Sequence, residues 1–142
     1  MSVISLAADS TSLILNGAGI TQFAEGDFIT LTPVNPKTGR VNSSTGVNIN
    51  NRMDGDVFNL VVRVQKYGSD DVLLQSWVNS AAPVVINGSA KESFQRDGQD
   101  FTESYTLDAG SFTTQPTDTK NNQDSNGMME YTIQFRRAKR NL

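Results

Sequence analysis

From Asp56 to Lys66 the side chains alternate: Phe58, Leu60, Val62 and Val64 fall on one side, Val57, Asn59, Val61, Arg63 and Gln65 on the other. A period of two belongs to extended chain, where successive side chains point to opposite faces. At about 3.3 Å per residue the run reaches roughly 36 Å, long for a strand in a globular domain. Such a strand needs partners on both edges and a covering layer on its apolar face, so the chain is constrained to a β-rich fold.

Two later segments repeat the pattern. Phe101, Glu103, Tyr105 and Leu107 alternate with Thr102, Ser104, Thr106 and Asp108; Met129, Tyr131, Ile133 and Phe135 alternate with Glu130, Thr132, Gln134 and Arg136. In both, the second face is polar, as an antiparallel sheet with one side in water permits. Earlier in the chain, Ser12–Leu15 is closed by the turn signal Asn16-Gly17-Ala18-Gly19, with Ile20–Ala24 returning as a hairpin arm. Phe28–Thr32 alternates until Pro33 and Pro36, which lack the N–H a ladder needs. Val84–Ile86 reads as a brief strand ended by Asn87-Gly88, and Ser89–Asp100 as polar and turn-like.

One segment has helical spacing. Gly68-Ser69 offers a break and a cap, Asp70 and Asp71 set negative charge at the positive end of the dipole, and Leu73/Trp77 and Leu74/Val78 repeat at i, i+4. Asn79-Ser80 and Pro83 stop it. About ten residues of helix are marginal alone, so this one must pack on a sheet, with Trp77 in the core. The expected order is β-β-β-β-α-β-β-β in a single domain, residues 1–142. The fold class is mainly β, an antiparallel β-sandwich or half-closed barrel with one flanking α-helix.

Two long polar stretches interrupt this order. Residues 33–55 are rich in Asn, Ser, Thr and Gly, with only Val47 and Ile49 alternating against Asn48 and Asn50. Connections in compact domains are usually about 4–6 residues, and much longer ones tend to carry a function. Lys37, Arg40, Val47, Ile49 and Arg52 are the candidate contact residues of such an interaction loop; a plain flexible loop is the alternative. Gly110–Gly127 forms the second, with Pro116 and an Asn/Gln/Asp/Ser-rich run.

Reaction chemistry finds little to use. The chain has no Cys and no His, which excludes disulfides, Cys/His zinc sites, Cys nucleophiles and a Ser-His-Asp triad. Asp70/Asp71 are explained by the helix terminus and Asp54/Asp56 by turn chemistry; neither these nor Asp97/Asp100 have an aromatic sugar platform beside them. Asp118–Asp124 is loosely calcium-like but lacks EF-hand spacing. No phosphate loop is present. The expectation is a protein that is not an enzyme, with no catalytic, metal or cofactor site.

Charge is uneven. The chain has 12 basic and 15 acidic residues, but Arg136, Arg137, Lys139 and Arg140 crowd the last seven positions, leaving 8 against 15 before them. Residues 136–142 read as a short basic tail, solvated or acting as a nucleic-acid arm. No run of apolar residues approaches a membrane span, the N-terminus lacks the basic region of a secretory signal, and the lack of Cys fits assembly in a reducing cytosol.

The stretch Leu13-Ile14-Leu15-Asn16-Gly17-Ala18-Gly19-Ile20-Thr21-Gln22-Phe23-Ala24-Glu25-Gly26-Asp27-Phe28-Ile29-Thr30-Leu31 resembles the tail tube proteins of contractile-tailed bacteriophages, in which a short hairpin ends in Phe-Ala-Glu/Asp-Gly before an extended strand. The order that follows (long polar loop, long strand, acidic-capped helix, polar-faced strands) also fits, and related tubes occur in phage-tail-like bacteriocins and secretion machines. The resemblance implies a structural virion protein whose hexameric rings stack into the inner tail tube that conducts DNA into the host. It also implies a tail sheath, a baseplate initiator and a tape measure protein as partners, assembly in the host cytoplasm, and DNA passing through the lumen without specific binding. About four strands per subunit give a ring of roughly 24, and barrels of 16–18 strands already enclose water. The polar faces then supply the lining: Thr102, Thr106, Asp108, Glu130 and Gln134 face the lumen, with the two acids repelling phosphate. The competing classes are a monomeric β-sandwich binding or decoration module of a virion, and a nucleic-acid-binding protein using the basic tail.

Overall fold

A computed structural model of the chain describes residues 3–24, 26–52, 55–118 and 127–142, without the side chains of residues 5–10. Among these, the strands are β1 (Ile4–Leu15), β2 (Ala18–Ile20), β3 (Ile29–Pro33), β4 (Thr38–Asn42), β5 (Asn48–Arg52), β6 (Phe58–Gln65), β7 (Ile86–Arg96), β8 (Gln99–Phe112) and β9 (Met128–Asn141), with the helix α1 (Ser69–Val78) between β6 and β7. Glu25, Asp54 and the part of the calcium-like run after Asp118 lie outside the described residues.

Seven strands form one antiparallel sheet in the order β2-β1-β7-β8-β9-β6-β3, and β4-β5 stand apart as a two-stranded ribbon. The sheet curls. After β2, at one edge, the chain crosses to the other edge, where Phe23 bridges Val64, Ala24 N–H donates to the Arg63 carbonyl, and β3 pairs with β6. The result is a half-closed barrel, mainly β with one helix, and not a closed one.

The concave side holds the core: Leu13, Leu15, Ile20, Leu60, Val62, Val64, Ile86, Leu107, Tyr131, Ile133 and Phe135 are fully or almost fully buried, together with Leu74 of α1. Trp77 is half-buried against this cluster. The helix is latched by its first turn. Asp70, the buried charged residue, accepts hydrogen bonds from the backbone N–H groups of Thr21 and Gln22 at 2.9 and 2.7 Å, while Gln22 Oε1 accepts from Asp70 N–H. One carboxylate thus ties α1 to the crossover that closes the sheet.

Three expectations are corrected. Ser89–Asp100 is not turn-like: β7 runs through Asn87-Gly88 to Arg96, and the real turn is Asp97-Gly98, both at positive φ as a two-residue hairpin turn requires. Asn87-Gly88 marks a bulge, where the β7–β8 register shifts and Asn87 Oδ1 accepts from the N–H of left-handed Ala109. The 33–55 stretch is not irregular, since β4 and β5 pair from Thr38↔Arg52 to Asn42↔Asn48 around a turn in which Gly46 has φ +87. The basic residues are not a tail either. They continue β9 to Asn141, with Ala138 buried and Arg140 paired to Glu103.

Candidate assembly surfaces

The convex face of the sheet is polar by construction. Leu107, Tyr131, Ile133 and Phe135 claim the concave side, so alternation turns Thr102, Thr106 and Asp108 of β8 and Glu130 and Gln134 of β9 outward. Thr102, Thr106 and Asp108 are exposed, Glu130 and Gln134 half-buried. The ladders extend this face across four adjacent strands: Ser93 lies opposite Thr102, Ser89 opposite Thr106, Ser111 opposite Gln134, and Asn59 opposite Gln134 on its other side.

Four cations share the face, and this changes its electrostatics. Arg63 lies opposite Glu130 and pairs with it at 3.1 Å, Arg137 is opposite Asp108, Lys139 is opposite Thr106, and Lys91 is opposite Ser104. The acidic lining expected from Asp108 and Glu130 is therefore replaced by mixed charge, because β9 carries its basic end onto the sheet. The sequence does not place Lys91 and Lys139 on this face, because the only buried neighbours that mark the dry side there are the small Ala90 and Ala138, too weak an apolar signal to show the alternation.

The β4–β5 ribbon brings the candidate contact residues together and sorts them. Val41 is opposite Ile49, and Val47 follows on the same side; Arg40 opposite Asn50 and Arg52 opposite Thr38 lie on the other. Lys37 is at its root, where a Cβ on Gly55 would come within 2.4 Å of the Lys37 Cα. All five candidates are exposed, Val47 and Ile49 by 62% and 55%, and Val41 by 56%, so this apolar stripe has no cover in the single chain.

Two concavities complete the surface. A mouth of about 340 Å³ opens where β3 faces β1, β7 and β8, with Asp27, Glu92 and Glu103 at its rim and Ile29, Leu31 and Tyr105 in its walls. Just beyond, Phe94 and Phe101 stack at 5.8 Å, with Arg96 over Phe101. The second, about 390 Å³, lies beside α1. There Lys66 pairs with Asp118, which raises the lysine pKa chiefly through that hydrogen bond. Tyr131 donates to Asp71 and Gln75 there, and its phenol is pushed above its ordinary value by burial first and the Asp71 hydrogen bond second. Among the described residues no cluster of potential metal ligands exists, and no buried side-chain polar atom lacks a partner. No described helix is long and apolar enough to cross a membrane.

No family model matches the chain, and no curated protein matches it either. Among solved structures, it is similar to a chain in the cryo-EM structure of an extracellular contractile injection system, the PVC sheath/tube terminator in the extended state. The two superpose with a TM-score of 0.67 at 10% sequence identity, over 97% of each chain. At that identity the likeness is one of fold, and the fold it supports is the β-rich, tail-tube-like architecture.

Proposed function

We propose that this chain is the structural subunit of a tail tube, in a contractile phage tail or a phage-tail-like injection particle. Copies close into hexameric rings that stack into a hollow tube, with the convex face of β7-β8-β9-β6 turned to the lumen. The observation that carries this reading is the polar face itself: four adjacent strands present Ser, Thr, Asn, Gln and charges of both signs outward, with Val61 among them, while a full apolar core lies behind them. Four strands from each of six copies give a lining of roughly 24, wide enough for an aqueous channel. Closure also removes the free edges at β2 and β3, which otherwise invite uncontrolled pairing. The similar chain belongs to a contractile injection system with a sheath and a tube, which supports the same kind of particle here and a sheath partner. Serine- and threonine-rich rows pass a polymer with only weak, replaceable contacts. In a phage the polymer is DNA, and Glu130 and Asp108, set opposite Arg63 and Arg137, offset two of the four cations that would otherwise hold its phosphates.

Negative-stain microscopy of the purified protein should show rings or tubes. Because the chain has no cysteine, single variants Thr102→Cys and Thr106→Cys report on one position each. In intact tubes they should resist a bulky maleimide that labels the dissociated subunit. Equal labelling before and after assembly puts this face outside and defeats the lumen assignment.

A further inference from the structure

We infer that the β4–β5 ribbon of one copy seats in the mouth between β3 and β1-β7-β8 of a second copy. The inference rests on the tube reading and names the surface that receives the ribbon. Residues 34–52 contain Lys37, Arg40 and Arg52 and no acid. The mouth has the opposite charge: Glu103 is taken by Arg140, but Asp27 and Glu92 form no ion pair among the described residues. Lys91 borders the mouth from a strand position whose register gives it to the opposite, polar face, and Arg96 lies over Phe101 just beyond, so the acids outnumber the cations at the rim itself.

The apolar surfaces match as well. The ribbon offers Val41, Val47 and Ile49, each more than half exposed. The mouth offers Ile29, Leu31 and Tyr105, with the half-buried Phe94–Phe101 stack beside them. Ribbon residues do not line the mouth of their own chain, so each copy carries both an unfilled receptor and an uncovered ligand. A contact between two different patches of identical chains is head-to-tail, and such contacts close into a ring or continue as a filament according to the rotation between copies. Its amphipathic faces place the arginines toward the acidic rim when Val41 and Ile49 face the aromatic wall.

The test uses two single-cysteine chains, Val47→Cys on the ribbon and Thr11→Cys at the mouth, mixed with a short bismaleimide while assembly is followed by negative-stain microscopy. A covalent dimer should form in the mixture and in neither chain alone. Tubes without that dimer overturn the docking surface and leave the tube reading standing. The dimer without rings or tubes supports the docking and removes the tube reading. In a Val47→Cys/Thr11→Cys chain, a link confined within one molecule overturns the inference. As a second measurement, Arg40→Glu and Glu92→Lys should each raise the concentration needed for assembly at least tenfold, and the double variant should recover most of that loss. Unaltered assembly of both single variants also defeats the docking.

Discussion

The Tyr131 hydroxyl, near the start of β9, donates a hydrogen bond to the carboxylate of Asp71 in the first turn of α1, and so pins the helix to the sheet from below. Tyr131 is fully buried and Asp71 only half, so removing the hydroxyl leaves the carboxylate access to water. Tyr131→Phe should therefore cost about 1–2 kcal/mol, the range for one hydrogen bond to a charged group with partial solvent rescue. Urea unfolding followed by the single Trp77 measures it. An unchanged midpoint would show that packing alone holds the helix.

The same phenol makes stability depend on alkaline pH. In the fold its pKa lies above the ordinary value of 10.0, from burial first and Asp71 second. The unfolded chain releases this proton near its ordinary value while the folded chain keeps it, so the contribution is complete below about pH 10 and is lost as pH rises further. Unfolding free energy should fall from about pH 10 upward in the wild type and fall less steeply in Tyr131→Phe. Parallel curves would contradict the assignment.

Asp70 makes the second latch, and its loss should be heavier. Asp70→Ala strips the acceptor from two backbone N–H groups of the crossover, Thr21 and Gln22. Leaving such donors short of a partner costs about 1–3 kcal/mol each where water cannot reach them, so a total of about 2–3 kcal/mol is expected from part-buried donors. Both N–H groups donate to the same oxygen, Oδ2, so Asp70→Asn can keep both hydrogen bonds with its amide oxygen and should lose only the charge-assisted part, about half as much. The comparison separates the hydrogen bonds from the packing of the side chain.

How much of this was readable depended on whether one face was dry. Asp56–Lys66 and Met129–Arg136 carry Leu60, Val62, Ile133 and Phe135 on a buried side, and their alternation located β6 and most of β9. The outer half of β7 has Glu92 and Phe94 where a core would put two aliphatics, and the last residues of β9 are almost all charged, so periodicity has nothing to register. Backbone pairing, which is blind to side-chain polarity, forms these parts. The same blindness hid the cations of the polar face: Lys91 and Lys139 join it only through ladder register with β8. The candidate residues Thr102, Thr106, Asp108, Glu130 and Gln134 do share one face, because they alternate with core residues that the sequence displays.

Gly88 gives a test of the bulge. A Cβ built there falls 2.0 Å from the Ile14 carbonyl oxygen, a backbone atom of the paired strand that cannot rotate away. Gly88→Ala should force β1 and β7 apart and cost about 2–3 kcal/mol, at the upper end of overpacking penalties. Thermal unfolding reads the loss. A variant as stable as the wild type would mean that the two strands separate freely at this point.

The ribbon separates folding from assembly. None of its residues belongs to the core cluster, and its root is held by the Val34 N–H bond to the Val57 carbonyl. Removing residues 37–51 keeps that bond and shortens an exposed connection, a change of only a few tenths of a kcal/mol in loop-closure entropy. The shortened monomer should unfold within about 1 kcal/mol of the wild type, because surface changes away from packed groups have small effects. Assembly should fail, since the exposed Val41, Val47 and Ile49 stripe and the cations Lys37 and Arg40 go with it. Trp77 fluorescence and microscopy on one sample decide the matter. A folded monomer without tubes assigns the ribbon to contacts between copies, an unfolded one returns it to the stability of the single chain, and normal tubes would remove it from both.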